Sequence, residues 1–393
     1  MENAELKENK MGVMPVNKLL INMSLPMVIS MLFQACYNIV DSVFVARIAD
    51  DAAVAGSAGT SALVAVGMAF PFQMLMIAFA NGTGVGMNAM LSKALGEKDR
   101  TTVNKAAMNG IFLSGVTYII FLVIGLFFSE SLIRSQGGEG LSLTYGTQYL
   151  SIVSIASFGI LGQALFERQL QSTGRTFYSM ISQITGALIN IVLDPILIFG
   201  YLGFPEMGVA GAAVATVIGQ VVAGILALIF NLKKNPEIHI SFKGFRPDPH
   251  VIKRIYAVGL PSIVMQAIGS VMTFLMNRIL TGLNPDSVAV FTVYFKLQSF
   301  FFMPIFGMNN GMIPIVAYNY GAGKRSRMIK SVKLTMLYAF LFLAFGLALF
   351  EFIPDKLLLL FDTGSASLLE LGVPALRTIA LSYLFAWFCI IGG

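Results

Sequence analysis

Long apolar segments are the feature that most constrains this sequence. Ten of them, each near the ~20 residues that a helix needs to cross a bilayer, lie at about residues 19–41, 53–80, 106–128, 145–166, 179–200, 209–231, 254–278, 288–316, 334–353 and 374–393. Only 12% of the residues are charged, about half the share found in a soluble domain. Such a chain cannot cover its apolar segments with polar surface, so lipid must surround much of it. The sequence predicts an all-α polytopic membrane protein.

The basic residues between these segments indicate how the chain is oriented. Most of the 26 lysines and arginines fall on one alternate set of loops, which includes Arg168 and Arg175 after the fourth segment. The other set holds only Arg47, Arg134, Arg278 and Lys356. Because Lys and Arg collect on cytoplasmic loops, the pattern predicts a multi-pass protein with its N-terminus in the cytoplasm. Topology thus accounts for the net charge of +6, and no nucleic-acid partner is predicted.

Several short elements occur twice along the chain. The tripeptide Ser-Leu-Pro at 24–26 resembles Gly-Leu-Pro at 259–261. A second set recurs 225 residues later, and it matches Gly82, Gly86, Met87, Gly96 and Arg100 with Gly307, Gly311, Met312, Gly321 and Arg325. Six predicted helices, an even number, separate the copies, so both copies have the same orientation. Parallel repeats of this kind are common in secondary transporters.

The repeat predicts two six-helix bundles related by a pseudo-two-fold axis along the membrane normal. Residues 1–235 are expected to form the N-terminal bundle, 236–253 a cytoplasmic linker, and 254–393 about four helices of the C-terminal bundle. The counterpart of residue 231 would lie near position 457, about 64 residues beyond the last one. Twelve helices are therefore expected in all, about ten of them within this chain.

Two acidic residues are singled out within the predicted segments, where charges are rare and usually functional. They are Asp41 and Asp194, and a polar residue, Tyr37 or Asn190, precedes each by four positions and so shares its helix face. Thr216 in the sixth segment adds a hydroxyl group. A hard cation such as Na⁺ favours oxygen ligands, which Asp41, Asn190, Asp194 and Thr216 would supply. Alternatively, two adjacent carboxyls would share a proton. A structural role for either acid is the third alternative.

Motifs of enzymes and of resident metal sites do not occur. The two cysteines, Cys36 and Cys389, lie in apolar segments, and the two histidines share one polar loop. The stretch GAGKRS at 321–326 resembles a phosphate-binding loop, but it lacks the first glycine and the final Ser or Thr that such a loop requires. The chain is therefore predicted not to be an enzyme and to need no cofactor, apart from H⁺ or Na⁺ as a coupling ion.

These motifs together resemble the multidrug and toxic compound extrusion (MATE) family, close to its MepA-like bacterial branch. The match rests on LDPILIFG around Asp194, on GVAGAAVAT ending at Thr216, and on the Gly-Leu-Pro and YNYGAGKR elements. The resemblance implies two six-helix bundles around a central cavity that opens alternately to each side of a bacterial cell membrane. It implies a secondary active multidrug efflux antiporter that exports amphipathic or cationic compounds in exchange for H⁺ or Na⁺. The family's coupling site matches Tyr37, Asp41, Asn190, Asp194 and Thr216.

Some of the polar residues in the segments are candidates for the wall of a substrate cavity, along with one methionine. They are Gln34, Gln163, Gln183, Gln266, Asn277, Gln298 and Met265. Hydrogen bonding between helices is the alternative role for the polar ones. Lys296 could pair with a carboxylate or extend to an interface. We expect a monomer, with membrane lipid and small substrates as its partners. The alternative function is a flippase or exporter of lipid-linked or oligosaccharide precursors, for which a more basic cavity is expected.

Overall fold

All regular structure in the described part of the chain is helical. The computed structural model describes residues 9–45, 48, 60–283, 285–359 and 366–392. Its helices are α1 (Lys10–Val13), α2 (Val16–Val45), α3 (Thr60–Gly96), α4 (Arg100–Phe127), α5 (Ser129–Ser135), α6 (Gly140–Ile155), α7 (Phe158–Ser172), α8 (Thr176–Phe199), α9 (Gly208–Lys234), α10 (Pro249–Leu283), α11 (Pro285–Gly321), α12 (Arg325–Phe352), α13 (Pro354–Leu359), α14 (Ala366–Ala380) and α15 (Tyr383–Gly392).

The number of membrane spans agrees with the prediction. Eight helices of the described residues are long and apolar enough to cross a bilayer. Two bent pairs, α6 with α7 at 45° and α14 with α15 at 49°, bring the number to ten. The first bend falls at 156–157, within a run of small residues and serines that commonly permits a kink. The prediction of an all-α polytopic protein with about ten spans in this chain is confirmed.

The ends of the spans differ from the predicted ones. α3 continues to Gly96 and α12 begins at Arg325, because a helix can extend beyond the lipid while its lysines and arginines reach water. The loop position predicted for Arg168 is wrong. α7 continues to Ser172, and Arg168 lies inside it with 7% of its surface exposed. Its Nη1 donates hydrogen bonds to two neighbouring side chains, those of Gln171 and Asn310.

A seam of glycines joins the two halves of the chain, with α2 and α3 on one side and α10 and α11 on the other. A Cβ at Gly96 would overlap the carbonyl oxygen of Tyr318, and a Cβ at Gly321 would overlap that of Lys93. Gly96 and Gly321 are repeat counterparts, and so are Lys93 and Tyr318, which are likewise 225 residues apart. The contact therefore has the two-fold character that the repeat predicts.

The same relation holds for the next glycines along the seam. A Cβ at Gly82 would overlap the side chain of Ile263, and one at Gly307 would lie 2.8 Å from the backbone nitrogen of Val28. Ile263 and Val28 are counterparts, because each lies two residues after the proline of its Leu-Pro element. Small residues let helix backbones approach closely in membranes. The seam lies in the part of these helices nearest the ends that carry the basic loops, which we call the basic face. The halves are thus in close contact at the basic face.

The short helix α1 is anchored to the N-terminal half of the chain. The Asn9 amide nitrogen donates hydrogen bonds to the carbonyl oxygen of Thr173 at 3.1 Å and to Glu237 Oε1 at 2.6 Å. Burial raises the pKa of the Glu237 carboxyl, while the hydrogen bond from Asn9 and the positive charges of Arg175 and Lys10 act in the opposite direction. Asn9 therefore holds α1 against both the α7–α8 turn and the segment that leads into α10.

Arg327 anchors the other end of α1 to the C-terminal half. Its guanidinium group donates to the carbonyl oxygens of Met11 at 3.2 Å and Met14 at 2.6 Å, and the Asn319 amide also donates to that of Met11 at 3.1 Å. Carbonyls at a helix C-terminus have no partner within the helix, so these donors satisfy groups that would otherwise need water. α1 therefore bridges the two halves at the basic face.

We expect an Arg327→Gln variant to loosen this bridge without unfolding the bundles. A hydrogen bond from a charged group contributes about 1.5–3 kcal/mol, so a loss of ~2 kcal/mol would speed exchange of the α1 amide hydrogens roughly 30-fold. Hydrogen exchange of the Gly12 and Met14 amides, followed by mass spectrometry, measures this change. Arg325→Gln is the matched control, because Arg325 is exposed and makes no hydrogen bond with α1 among the residues that the structure describes. Equal exchange in both variants would show that Arg327 does not anchor α1.

Candidate functional site

Three helices of the N-terminal half bring the predicted coupling residues together. α8 supplies Asn190 and Asp194, whose spacing places both on one face of the helix, and α9 supplies Thr216. Asp194 is fully buried, with 0% of its surface exposed. The Asn190 amide nitrogen donates to Asp194 Oδ1 at 3.3 Å and to Thr216 Oγ1 at 3.3 Å. Asn190 thus connects the acid on α8 to the hydroxyl on α9.

Close packing of α8 on α9 makes these hydrogen bonds possible. A Cβ at Gly186 would lie 2.8 Å from the carbonyl oxygen of Gly219, and a Cβ at Gly219 would lie 2.6 Å from that of Gly186. These two glycines face each other one turn from the site residues, and small residues let helices approach closely. The glycines therefore hold the backbones near enough for the short Thr216 side chain to reach Asn190.

Asp41 enters the same site from α2. The predicted first segment ends at residue 41, whereas α2 continues to Val45, so Asp41 lies within the helix. Its carboxyl group is within hydrogen-bonding reach of that of Asp194. The hydroxyl groups of Tyr37 and of Tyr149 on α6 both lie close enough to interact electrostatically with the two carboxyls. Tyr149 was not predicted, because a tyrosine in an apolar segment carries no distinguishing sequence signal.

Three buried oxygen atoms in this site have no hydrogen-bond partner among the described residues. They are Asp41 Oδ1, Asn190 Oδ1 and Asp194 Oδ2. All three are hydrogen-bond acceptors, and a buried acceptor without a donor is costly. What they lack is positive charge, which either a proton or a small cation would provide. In the part of the chain that the structure describes, no group of three or more His, Cys, Asp or Glu side chains could hold a metal ion.

A second buried acid, Glu167, lies in α7 and was missed by the sequence reasoning. Only 3% of its surface is exposed. Its Oε1 accepts hydrogen bonds from Gln163 at 3.0 Å and Ser182 at 3.2 Å, and its Oε2 accepts one from Gln183 at 2.8 Å. The predicted fourth segment ended at residue 166, one residue before it. The spacing of Gln163 and Glu167, four residues apart on one helix face, was the available signal.

Arg168, next to this acid, connects the two halves. Its Nη1 donates to Gln171 at 3.1 Å and across the seam to Asn310 of α11 at 2.9 Å. Gly84 makes room for the side chain, since a Cβ there would lie 2.8 Å from Arg168 Cγ. A buried polar network therefore extends from α8 through α7 into the C-terminal half.

The residues predicted for the substrate cavity have different environments. Gln163 and Gln183 donate to Glu167, and Gln266 accepts a hydrogen bond from Asn81 of α3 at 3.2 Å. The bonds of Gln183 and Gln266 join two helices, as in the alternative role, whereas that of Gln163 lies within α7. The cavity role of all three stays a prediction. Gln34 and Gln298 are half-buried and Met265 is exposed, and their cavity role stays a prediction. The side chains of Asn277, Arg278 and Lys296 lie outside those that the structure describes.

Comparison with known proteins identifies the family. The MatE family model matches residues 26–196 and 261–393, so this chain belongs to the MatE family. It is 27% identical to a multidrug export protein MepA of Staphylococcus saprophyticus, over 83% of this chain and 70% of that protein. The identity to the MepA of Staphylococcus haemolyticus is 28%, over 81% of this chain and 68% of that protein. The resemblance described from the sequence is confirmed, and the chain is a multi-pass membrane protein of a multidrug efflux transporter family, not an enzyme.

Solved structures agree with this assignment. The outward-facing conformation of a multidrug resistance MATE family transporter of the MOP superfamily superposes with a TM-score of 0.89 at 27% identity, covering 98% of this chain and 83% of that one. A MOP superfamily transporter from Pyrococcus furiosus, for which a reversed polarity of the binding pocket suggests a different function, superposes with a TM-score of 0.88 at 26% identity, covering the same shares.

Proposed function

We propose that this protein is a secondary active antiporter that exports amphipathic or cationic compounds in exchange for H⁺ or Na⁺. The observation that supports this most directly is the pair of carboxyl groups at Asp41 and Asp194, within hydrogen-bonding reach of each other in a buried site. Intramembrane acids that face a bundle interior are typical of ion pathways. The three acceptor oxygens without donors would suit either a proton or a sodium ion.

The state of the two carboxyls provides a way to couple ion and substrate. Two carboxylates in contact repel each other, so the site holds a proton or a cation more firmly than a single exposed acid would. Binding of the ion adds positive charge at the buried pair of carboxyls and so changes the net charge of the N-terminal half. A cationic substrate in the adjacent cavity would be favoured when the site is charged and disfavoured when the ion is bound. This difference in affinity is what an exchange mechanism requires.

The glycine seam supports the assignment of this structure to one state of the transport cycle. If the basic face is cytoplasmic, as the positive-inside rule indicates, the close contacts of Gly82, Gly86 and Gly96 seal the cytoplasmic side. The superposition on an outward-facing relative is consistent with this direction. We therefore propose that this state is open to the outside. We also propose that the protein is a monomer in the bacterial cell membrane.

The alternative function is that of a flippase or exporter of lipid-linked precursors. Such a protein is expected to have basic residues in its binding region. Around Asp41 and Asp194, no lysine or arginine in the described ranges makes an ion pair or a hydrogen bond with either carboxyl. The one buried arginine among the described residues, Arg168, is held by Gln171 and Asn310. The charge around Asp41 and Asp194 thus favours cationic substrates over phosphorylated ones.

Transport in proteoliposomes tests the proposal. A fluorescent lipophilic cation is loaded, the membrane potential is clamped with potassium and valinomycin, and a pH gradient or a Na⁺ gradient is imposed separately. We expect efflux that depends on at least one gradient, and the effective gradient identifies the coupling ion. Empty liposomes are the control. Absence of transport under both gradients, by protein shown to be folded, would contradict drug antiport and favour the lipid-linked precursors.

A further inference from the structure

The chain between the two halves turns back on itself along α4. This irregular stretch, residues 238–248, lies between the end of α9 and the start of α10, and we call it the linker loop. In its first arm, the backbone nitrogen of His239 donates to Asn104 Oδ1 at 2.9 Å. In its second arm, the backbone nitrogen of Asp248 donates to Asn109 Oδ1 at 2.9 Å. Both arms are therefore attached to polar side chains in the first turns of α4.

Apolar packing holds the first arm as well. Ile238 has 5% of its surface exposed and lies in a cluster with Leu91 of α3 and Val103 of α4, against which Ile240 also packs. An arm with two such isoleucines is part of the folded N-terminal half. The position of the tip of the linker loop along α4 is therefore fixed.

The tip reaches farther along α4 than either arm does. The ring of Phe245 packs against that of Phe112, with centroids 6.4 Å apart. Phe112 lies eight residues beyond Asn104, or ~12 Å along the helix axis at 1.5 Å per residue. The chain then reverses at a turn in which the Phe245 nitrogen donates to the Phe242 carbonyl oxygen at 3.2 Å. Gly244 adopts the positive φ of 73° that this turn requires.

The level of Phe112 lies inside the apolar part of the α4 span. Arg100 and Lys105 are the charged residues of α4, so the helix enters the hydrocarbon region after Lys105. Phe112 is seven residues further along, and Val116 and Ile119 continue its face with 39% and 58% of their surfaces exposed. An exposed apolar face of a membrane span contacts acyl chains. The tip of the linker loop therefore lies where the lipid-facing surface of α4 begins.

The exposed side chains of the tip have the composition of a membrane-interface anchor. Phe242 has 68% of its surface exposed. Lys243 and Arg246 flank the turn, both are exposed, and neither makes an ion pair in the part of the chain that the structure describes. An aromatic ring beside two bases suits the boundary between acyl chains and headgroups, where the ring is buried and the charges meet phosphates.

We propose that the tip of the linker loop inserts into the leaflet at the basic face, with the Phe242 ring among the upper acyl-chain carbons and Lys243 and Arg246 at the lipid phosphates. The backbone of the tip stays at the level of the headgroups, where water satisfies its polar groups, because irregular backbone is not tolerated deeper in lipid. The linker is then a membrane-attached part of the N-terminal half and not a free connection in the aqueous phase.

Two features favour lipid over another protein segment as the partner of Phe242. The tip is held beside the face of α4 that carries Val116 and Ile119, so lipid that covers this face also reaches the tip. A protein segment at that level would lie against acyl chains and would have to satisfy its backbone polar groups without water. An acyl chain has no such groups to satisfy.

A tryptophan at the tip tests this placement. Phe242→Trp is made together with Trp387→Phe, so that the new residue is the only tryptophan of the full 393-residue chain. The protein is reconstituted in vesicles of phosphatidylcholine and phosphatidylglycerol that contain a nitroxide lipid, labelled either near the top of the acyl chain or at its middle. We expect the upper nitroxide to quench about twofold more than the middle one, since interfacial side chains are buried ~5–10 Å.

Two other positions calibrate the measurement in the same Trp387→Phe background. Val116→Trp lies farther along α4 and should be quenched more by the middle nitroxide than by the upper one. Glu97→Trp lies in the exposed turn before α4. It should be quenched weakly by both nitroxides and strongly by iodide that is present on both sides of the membrane.

The two bases are tested by placing the upper nitroxide on phosphatidylglycerol or on phosphatidylcholine. At equal mole fraction, the label on phosphatidylglycerol should quench the tryptophan at position 242 several-fold more, because bases near the surface attract anionic lipid. Lys243→Gln/Arg246→Gln should remove this preference. Arg325→Gln/Lys330→Gln, which removes equal charge from exposed positions of the other half, should keep it.

Two quenching patterns would overturn the insertion of the tip. Iodide quenching at position 242 as strong as at position 97, with little quenching by either nitroxide, would place the tip in water. Protection from iodide and from both nitroxides would show that protein covers the tip. An equal loss of the lipid preference in both double variants would overturn the headgroup contacts of Lys243 and Arg246. An unchanged gel-filtration profile in detergent verifies that each variant is folded.

Discussion

An Asp194→Asn variant is expected to fold normally and to lose gradient-driven export. Asparagine has nearly the same shape, and its side-chain oxygen still accepts the hydrogen bond that Asn190 donates to Asp194. It cannot release a proton and offers no negative charge to a cation. Coupling between two ligand sites is worth about 1–3 kcal/mol. Removing the group that responds to the ion should therefore lower the gradient-dependent rate by up to ~100-fold.

The measurement is the initial efflux rate in proteoliposomes, with and without the effective gradient. A Glu206→Gln variant is the matched control, because it removes an exposed carboxyl from the loop that follows α8 and should leave the rate unchanged. The variant Asp41→Asn should be similarly impaired. Because the two carboxyls act together, the double variant should be scarcely worse than either single one. Full gradient dependence in folded Asp194→Asn protein would exclude this acid from coupling.

Much of this site follows from the sequence for a physical reason. Asp194 is conspicuous because a charge in an apolar segment is costly and helical spacing identifies Asn190 as its neighbour on the same face. Asp41 and its neighbour Tyr37 follow in the same way, whereas Thr216 is recognised only as a hydroxyl group within the sixth segment. The sequence alone does not show that α2, α8 and α9 bring these residues into one site. The pairing of helices in a bundle depends on packing between helices, which the sequence of one helix does not determine.

Glu167 shows where the sequence reasoning fails. The polar end of α7 lowers the hydropathy of its segment, so the predicted span stops one residue short. The same error placed Arg168 in a loop. In the folded chain, Glu167 and Arg168 are buried because glutamines and serines of α7 and α8, together with Asn310, satisfy them. A polar network that satisfies itself can lie within a bundle, and a hydropathy window cannot distinguish it from a helix end.

The glycine seam is partly predictable as well. Glycines within apolar segments are typical of close helix contacts, and Gly82 and Gly86 both lie at such contacts in the structure. The residues that they contact in the other half are identified only from the structure, which shows how the two halves pack together. Because each close approach occurs twice, once on each side of the pseudo-two-fold axis, we expect the seam to close or open as a unit.

A Gly86→Val variant is therefore expected to slow transport strongly by hindering closure of the seam. A Cβ at Gly86 would overlap the carbonyl oxygen of Ile255 and lie 2.9 Å from its carbonyl carbon, so backbone and not a movable side chain is in the way. Overpacking of this kind costs about 1–3 kcal/mol or more. That free energy shifts a two-state equilibrium about 5- to 150-fold toward the state in which the halves are apart at the basic face.

Gly67→Val is a matched control in the same helix, because nothing lies within 4 Å of the position that its Cβ would occupy. Spin labels at Glu97 and Ser326, both exposed at the basic face, would be introduced after Cys36 and Cys389 are replaced by serine. Gly86→Val should lengthen the mean distance between the labels and lower export at least about tenfold, while Gly67→Val should change neither. If Gly86→Val lost transport with the distance unchanged, the seam would be a rigid contact rather than the moving part of the cycle, and the opening would have to occur elsewhere in the bundles.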